Sequence, residues 1–305
     1  MQFNNDIYLN ENYVKLYGEV FVFENFDGNK YFKIIANKYP IKSSKYFDLQ
    51  SVYGYGGGLS CNSNDENFIK QSIIKFKNTA KEQNIIAFFI RFHPFDLNIN
   101  IYKKYLNFFR QEKKIIIVDT ANTIAQIRKN YSSRMKSIVN QARRLIEISQ
   151  CNKNETLNFY ELYQKTMLRN NASKFYFFDK EYFENLWNFK DYVVFKGRLN
   201  NEDIAFASFF MGEKITYYHL SANTLKNNAN ALLLDHFFEF SNQKGKQKCI
   251  LGGGIKDDDS LFAFKSKFSK QFAYFCIGGI VINDEIYNDM CEKYKKNNYF
   301  LKYRN

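Results

Sequence analysis

Apolar positions recur along this chain in two rhythms, and each rhythm predicts a different element. Between Asp65 and Gln83, the residues Phe68, Ile69, Ile73, Ile74 and Phe76 fall at the spacing of one helix face. Directly after it, "NIIAFFIRF" (Asn84 to Phe92) is almost unbroken in its apolarity, which suits a buried central strand. Upstream, "GEVFVFENF" and "KYFKIIANKYPI" read as strands. Downstream, "IYKKYLNFFRQEKK" reads as a helix and "KIIIVDT" as another strand. A long basic helical stretch follows, "TANTIAQIRKNYSSRMKSIVNQARRLIEIS", broken near Tyr131 to Ser133.

The second half keeps the same style. "NFYELYQKTMLRNN" and "DKEYFENLWNF" predict two short helices. Three strands follow, "DYVVFKGRL", "DIAFASFFMG" and "KITYYHLSAN", separated by short polar turns as in antiparallel hairpins. A helix through "ALLLDHFFEFSNQKG" ends at Gly245, and "QKCIL" is a strand leading into a glycine cluster. A helix from about Asp258 to Phe268 and the strand "FAYFCIGGIVI" complete the pattern. Both halves are mixed α/β with antiparallel meanders, so neither a doubly wound sheet nor a barrel is expected.

Composition narrows the chemistry. No apolar run approaches the roughly 18 residues that a spanning helix needs, and the first twenty residues carry no basic-then-apolar leader. A cytoplasmic protein is expected. Five scattered cysteines without a C-x-x-C pair predict reduced thiols, and three histidines without ligand-spaced partners predict no metal. A net charge of +13 attracts anions, whether nucleic acid, acidic headgroups or phosphorylated small molecules, without choosing among them. No Walker loop, nucleophile elbow or H-E-x-x-H occurs. Gly54, Gly56 and Gly57 begin a dinucleotide-like spacing, but Leu59 stands where its third glycine belongs.

One constellation remains. The strand "KITYYHLSA" runs into a polar loop and then a helix N-terminus, "NNANALLL". A strand with unpaired edge groups beside a helix N-terminus makes a seat for a long ligand carrying a pyrophosphate. Leu220, Ser221 and Ala222 would pair with its arm, and Asn228, Asn230, Ala231 and Leu232 would meet its phosphates, Asn228 or Asn230 serving as the cap.

The order and wording of these segments resemble the GNAT superfamily of acyl-CoA N-acyltransferases, in its two-domain Fem-type branch. The residues carrying the likeness are "YGYGGG", "FFIRFHP", "SRMKSIVNQARR", "FYELYQKTMLRNNASKFYFF", "YYHLSAN…NNANALLLDHFFEF" and "LGGGIKDDDSLFAFKSKF", which together cover most of the chain. The resemblance implies an α/β fold of the α+β type. Two tandem GNAT-like domains are expected, each a mixed, largely antiparallel sheet flanked by helices. Residues 1–145 would hold the acceptor, residues 146–283 the acyl donor, and 284–305 would cross back to the first domain. It implies an acyl-CoA co-substrate, acetyl-CoA or a short hydroxyacyl-CoA, and no metal. The compact length is similar to the branch that acylates nucleotide-linked amino sugars, dTDP- or UDP-linked, for surface polysaccharide. One departure stands out: "LKNNANA" occupies the place of the Q/R-x-x-G-x-G/A pyrophosphate loop. An aminoacyl-tRNA donor, as in Fem-type cross-bridge ligases, therefore remains an alternative, as does a basic nucleic-acid-binding protein. A homo-oligomer is also compatible with the sequence.

In such a reaction a neutral amine attacks a thioester carbonyl, and donors stabilise the oxyanion. His219 is the candidate base, with Tyr217 and Ser221 on its face by two-residue alternation. Among Asp257, Asp258 and Asp259, Asp258 is the second candidate, while one of the three caps the next helix. For the acceptor, Tyr53 and Tyr55 offer rings, Gly56, Gly57 and Gly58 offer backbone N–H groups, and Arg91 and Arg134 offer forked phosphate contacts. Lys265 would neutralise phosphate or polarise the thioester carbonyl.

Overall fold

A computed structural model describes residues 6–55, 59–254, 259–292, 294 and 298–304. The chain forms two compact units, Met1–Lys113 with Tyr274–Asn305, and Lys114–Ala273. The first begins with helix α1 (Glu11–Lys15) and strands β1 (Val20–Asp27), β2 (Lys30–Pro40), β3 (Phe47–Gln50) and β4 (Leu59–Cys61). Helix α2 (Glu66–Glu82), strand β5 (Ile85–Arg91) and the short α3 (Ile99–Tyr102) follow, and β6 (Phe108–Asp119) leads into the second unit. There the chain forms α4 (Ile124–Lys129), α5 (Ser133–Arg143), β7 (Glu147–Gln150), α6 (Thr156–Arg169) and α7 (Lys180–Leu186). Next come β8 (Tyr192–Leu199), β9 (Glu202–Met211), β10 (Ile215–Asn223), α8 (Ala229–Gln243), β11 (Lys248–Gly252) and α9 (Ser260–Lys265). Strand β12 (Phe272–Val281) and helix α10 (Asp284–Glu292) belong mainly to the first unit.

Each unit is a mixed, largely antiparallel sheet flanked by helices, and the two share a plan. In the first the strand order is β1-β2-β3-β5-β12, with β4 also pairing β2. Among the described residues its one parallel pair is β3 with β5, joined through α2. In the second the order is β7-β8-β9-β10-β11-β6, and among the described residues its one parallel pair is β10 with β11, joined through α8. In both, an antiparallel meander runs into a strand–helix–strand crossover. A final antiparallel neighbour then comes from elsewhere in the chain.

Local chemistry explains the crossover helices. Asp65 caps α2 by accepting from the N–H groups of Asn67 and Phe68. Phe68, Ile69, Ile73 and Phe76 then bury one face in the first unit's core with Phe21, Phe32 and Phe88. Ile74 is an exception to the predicted face: it lies one position off the stripe and is exposed. Helix α8 is apolar on most sides, burying Leu232, Leu233, Phe237 and Phe238 in the second unit's core.

Two expectations change. The helix read from "IYKKYLNFFRQEKK" is one short turn, after which Phe108 onward is strand β6. Asn107 stitches the start of that strand to β12, its N–H to the Gly279 carbonyl and its side chain to the Val281 N–H. Pairing with a distant strand overrides local helix preference here. The unit boundary also differs from residue 145. Helices α4 and α5 group with the second unit, because Arg128 and Arg143 both bind the buried Asp235 of α8. The 284–305 segment groups with the first unit. No helix among the described residues is long and apolar enough to cross a membrane.

Candidate functional site

The two parallel pairs part company in their ladders. In the first unit, β3 and β5 stay paired from Phe47↔Ile85 to Gln50↔Phe89, and Ser51 extends the seam by bonding Phe89 and Arg91. In the second unit, β10 and β11 pair only from Ile215↔Lys248 to Tyr217↔Ile250. Strand β10 nevertheless runs on to Asn223, six residues past its last pairing with β11 among the described residues.

A bulge shapes the open length of β10. Its register against β9 shifts between Tyr218 and Ser221. The buried Ser208 hydroxyl fills the irregularity, accepting from the Leu220 N–H at 3.1 Å and donating to the Leu220 carbonyl at 3.3 Å. The Leu220 main chain is therefore already engaged, which corrects its assignment as a partner for a carrier's arm. The bulge also breaks the alternation that grouped His219 with Ser221. Ser221 turns to the face of Tyr218, whose hydroxyl bonds both Ser221 and, at 3.5 Å, the Asn230 side chain. Burial raises the Tyr218 phenol above its ordinary pKa, so it stays protonated and able to donate at neutral pH.

His219 lies on the opposite face. Its Nε2 is 2.9 Å from the Tyr182 hydroxyl, and its ring is 4.9 Å from that of Phe210. Burial pushes its pKa down to about 3, leaving it neutral and a very weak base. The structure thus separates His219 from Ser221, and places it in an aromatic wall with Tyr182. Tyr217, also on that side, is fully buried.

On the Tyr218 face, Lys265 ends α9. It is 6 % exposed, its Nζ donates to the Gly253 carbonyl at 2.8 Å, and it stands 5.7 Å over the Tyr218 ring. A lysine kept this far from water is costly unless its charge is used or satisfied. Asp259 caps α9 through the Phe262 N–H, as one of the three aspartates was expected to. Gly254 is required beside it, since any Cβ there would overlap the Asp259 carboxylate. Asp257 and Asp258 lie outside the described residues.

The loop into α8 replaces glycine with residues in the left-handed region: Leu225, Asn227 and Asn228 have φ of 66°, 48° and 54°. Asparagine tolerates that conformation better than other side chains with a Cβ. Asn228 occupies the N-cap position of α8 but makes no side-chain cap, and Asn230 is held by Tyr218, so neither caps the helix as expected. The side chains of Ala222, Ala231 and Leu232 are buried in the core. Two residues that the sequence reading missed fix the loop's base. Arg169 donates to the Asn223 carbonyl at 2.8 Å, and Thr166 accepts from the Asn223 N–H at 3.1 Å. Tyr218 was missed as well; the only signal for it is its position next to His219 on the strand.

The residues expected to bind an acceptor divide between the units. Tyr53 and Tyr55 are half-buried in the first, the Tyr55 ring edge-on to Phe275. Between them, Gly54 has φ +128°, and a Cβ on it would overlap the Tyr8 ring. Arg91, at the end of β5, donates to the Ser51 carbonyl at 2.5 Å and stacks over Phe89. Arg134 is exposed on α5 of the second unit, so it is not grouped with Tyr53 and Arg91. Gly56, Gly57 and Gly58 lie outside the described residues.

No family model and no curated protein matches the sequence. Solved structures do resemble the fold. FemX superposes with a TM-score of 0.74 at 14% identity, covering 92% of each chain. L-PGS from Bacillus licheniformis gives 0.61 at 14% identity, covering 89% of this chain and 87% of its own. At these identities the likeness establishes a Fem-like, GNAT-like fold.

Proposed function

We propose that this chain is an acyltransferase, passing an acyl group from a phosphate-bearing carrier to an amine, with the carrier's arm in the opening between β10 and β11. The observation that carries this reading is the contrast between the two parallel pairs: one is closed, and the other parts after three residues. The α8 first turn, without a side-chain cap, supplies N–H donors and the positive dipole end to the carrier's phosphates. The favoured donor is a CoA thioester, acetyl or short hydroxyacyl, and the favoured acceptor a dTDP- or UDP-linked amino sugar.

In that reaction the amine's lone pair attacks the thioester carbonyl, the C–S bond breaks, and the proton shed by the nitrogen replaces the one that the Tyr218 hydroxyl passes to the leaving thiolate. Lys265 balances the oxyanion, and the Tyr218 hydroxyl, oriented by Ser221 and Asn230, donates to the leaving sulfur. His219, with so low a proton affinity, takes no part. The amine arrives neutral, and positioning does much of the rest.

Thermal-shift and transfer assays with acetyl-CoA, 3-hydroxybutyryl-CoA and both nucleotide sugars test this. Lys265→Met should lower turnover by about two to three orders of magnitude while the fold persists. A CoA ester that neither binds nor reacts would remove the favoured donor. A second reading is aminoacyl-tRNA-dependent transfer of the Fem type, favoured by the fold likeness to FemX and by the glycine-free loop. Transfer from charged tRNA, with binding that weakens steeply in salt, would select it.

A further inference from the structure

Helices α4 and α5 carry a charge pattern that the proposed reaction does not use. From Ile124 to Ile146 there are six basic residues and no acidic one, the next acid being Glu147. Two of the six are spent internally: Arg128 pairs with Asp235 and Glu239, and Arg143 with Asp235. Lys129, Arg134, Lys136 and Arg144 are exposed and have no ion-pair partner among the described residues. On α5, Met135, Val139 and Ala142 face the core, which turns Arg134, Lys136 and Arg144 outward.

Exposed leucines accompany these charges. Leu145, directly after Arg144, is 55 % exposed, and Leu225 is 70 % exposed at the tip of the loop before α8. The stretches that carry them approach through buried neighbours: α5 contacts the turn at 226–228, and a Cβ placed on Gly197 would lie 3.1 Å from Ile146 and 3.8 Å from Ala229. Lys226, beside Leu225, is already paired with Glu202 and adds no free charge. No aromatic ring is exposed on α4 or α5 to stack on bases; Tyr131 between them is buried against Phe268. Unpaired cations beside exposed leucines match a lipid–water interface, where the cations meet anionic headgroups and the leucines leave water.

We propose that the outer face of α4 and α5, with Leu145 and Leu225 at its edge, docks the protein peripherally on anionic membrane. Co-sedimentation with phosphatidylglycerol-containing vesicles tests it, against pure phosphatidylcholine vesicles. Expected are binding to the anionic vesicles only, loss in salt, and at least about a tenfold weakening in Arg134→Glu/Arg144→Glu. The control Lys70→Glu/Lys81→Glu on α2 changes net charge equally and should bind like wild type. Leu145→Ser, which leaves the charge intact, should weaken binding measurably. No binding to anionic vesicles at low salt, equal losses in the two charge reversals, or binding to mixed RNA but not to vesicles would each overturn the proposal.

Discussion

At the scale of single residues, the site is decided by which face of β10 each side chain takes. Tyr218 meets Ser221 and Asn230 and lies under Lys265, whereas His219 meets Tyr182 and Phe210. The histidine's environment leads to a pH prediction. Its folded pKa, near 3, lies far below the ordinary value of 6.5. Above about pH 6.5 neither the folded nor the unfolded chain protonates it, so it adds no pH dependence there. As the pH falls from 6.5 toward 3, the unfolded chain takes up a proton that the folded chain refuses, and stability drops by up to about 1.4 kcal/mol per pH unit. His93 and Asp96 also shift, but they are common to wild type and a His219→Asn variant and cancel in the difference. Urea unfolding near pH 7.5, 6 and 5 should therefore show the wild type's advantage over His219→Asn shrinking as the pH falls. Parallel profiles would contradict it. The variant's turnover at neutral pH should stay within a few-fold of wild type, because a base this weak contributes little proton transfer.

At the scale of elements, Tyr53 and Gly54, after β3, are held by the segment that precedes β1. Tyr8 is buried with its ring where a Cβ on Gly54 would stand, and the Tyr13 hydroxyl donates to the Tyr53 carbonyl at 3.4 Å. Gly54→Ala should destabilise by about 1–3 kcal/mol from its positive φ, with a further cost from the ring. In a Tyr8→Ala background the second cost disappears and the first remains, so the two substitutions should be less than additive in denaturant titrations. Full additivity would mean that the ring does not constrain the loop. The need for a glycine there was legible from "YGYGGG", and so were the three-strand run of the second half and the helices α2 and α8, because local periodicity dictates them. The bulge in β10 was not legible. It depends on Ser208, on a neighbouring strand, satisfying Leu220, and a two-residue alternation carries no mark of that. The strand character of Phe108 to Lys113 was hidden for the same reason, since its pairing partner β12 lies some 170 residues away.

At the scale of the whole molecule, the first unit is built from two distant pieces of chain, and one ion pair ties them together. Asp48 of β3 is completely buried, and Arg304 reaches it from the far end of the sequence at 2.6 Å. The same guanidinium donates to the carbonyls of Tyr39 and Pro40. Burial raises the Asp48 pKa and Arg304 opposes that rise, with burial the stronger. Removing the arginine leaves a buried carboxylate without its counter-charge, so Arg304→Ala should cost about 3–5 kcal/mol near neutral pH. The sign of the pH dependence follows. A carboxyl whose folded pKa lies above its unfolded value protonates first in the folded state, so acid favours folding. Without Arg304 that pKa rises further, and the deficit of Arg304→Ala should shrink as the pH is lowered from about 7.5 to about 5. Adding Asp48→Asn, which carries no charge at either pH, should recover much of the loss at neutral pH. Equal deficits at both pH values, or no recovery in the double variant, would mean that the returning segment is held by the Phe300 and Leu301 side chains instead, both buried in the same unit.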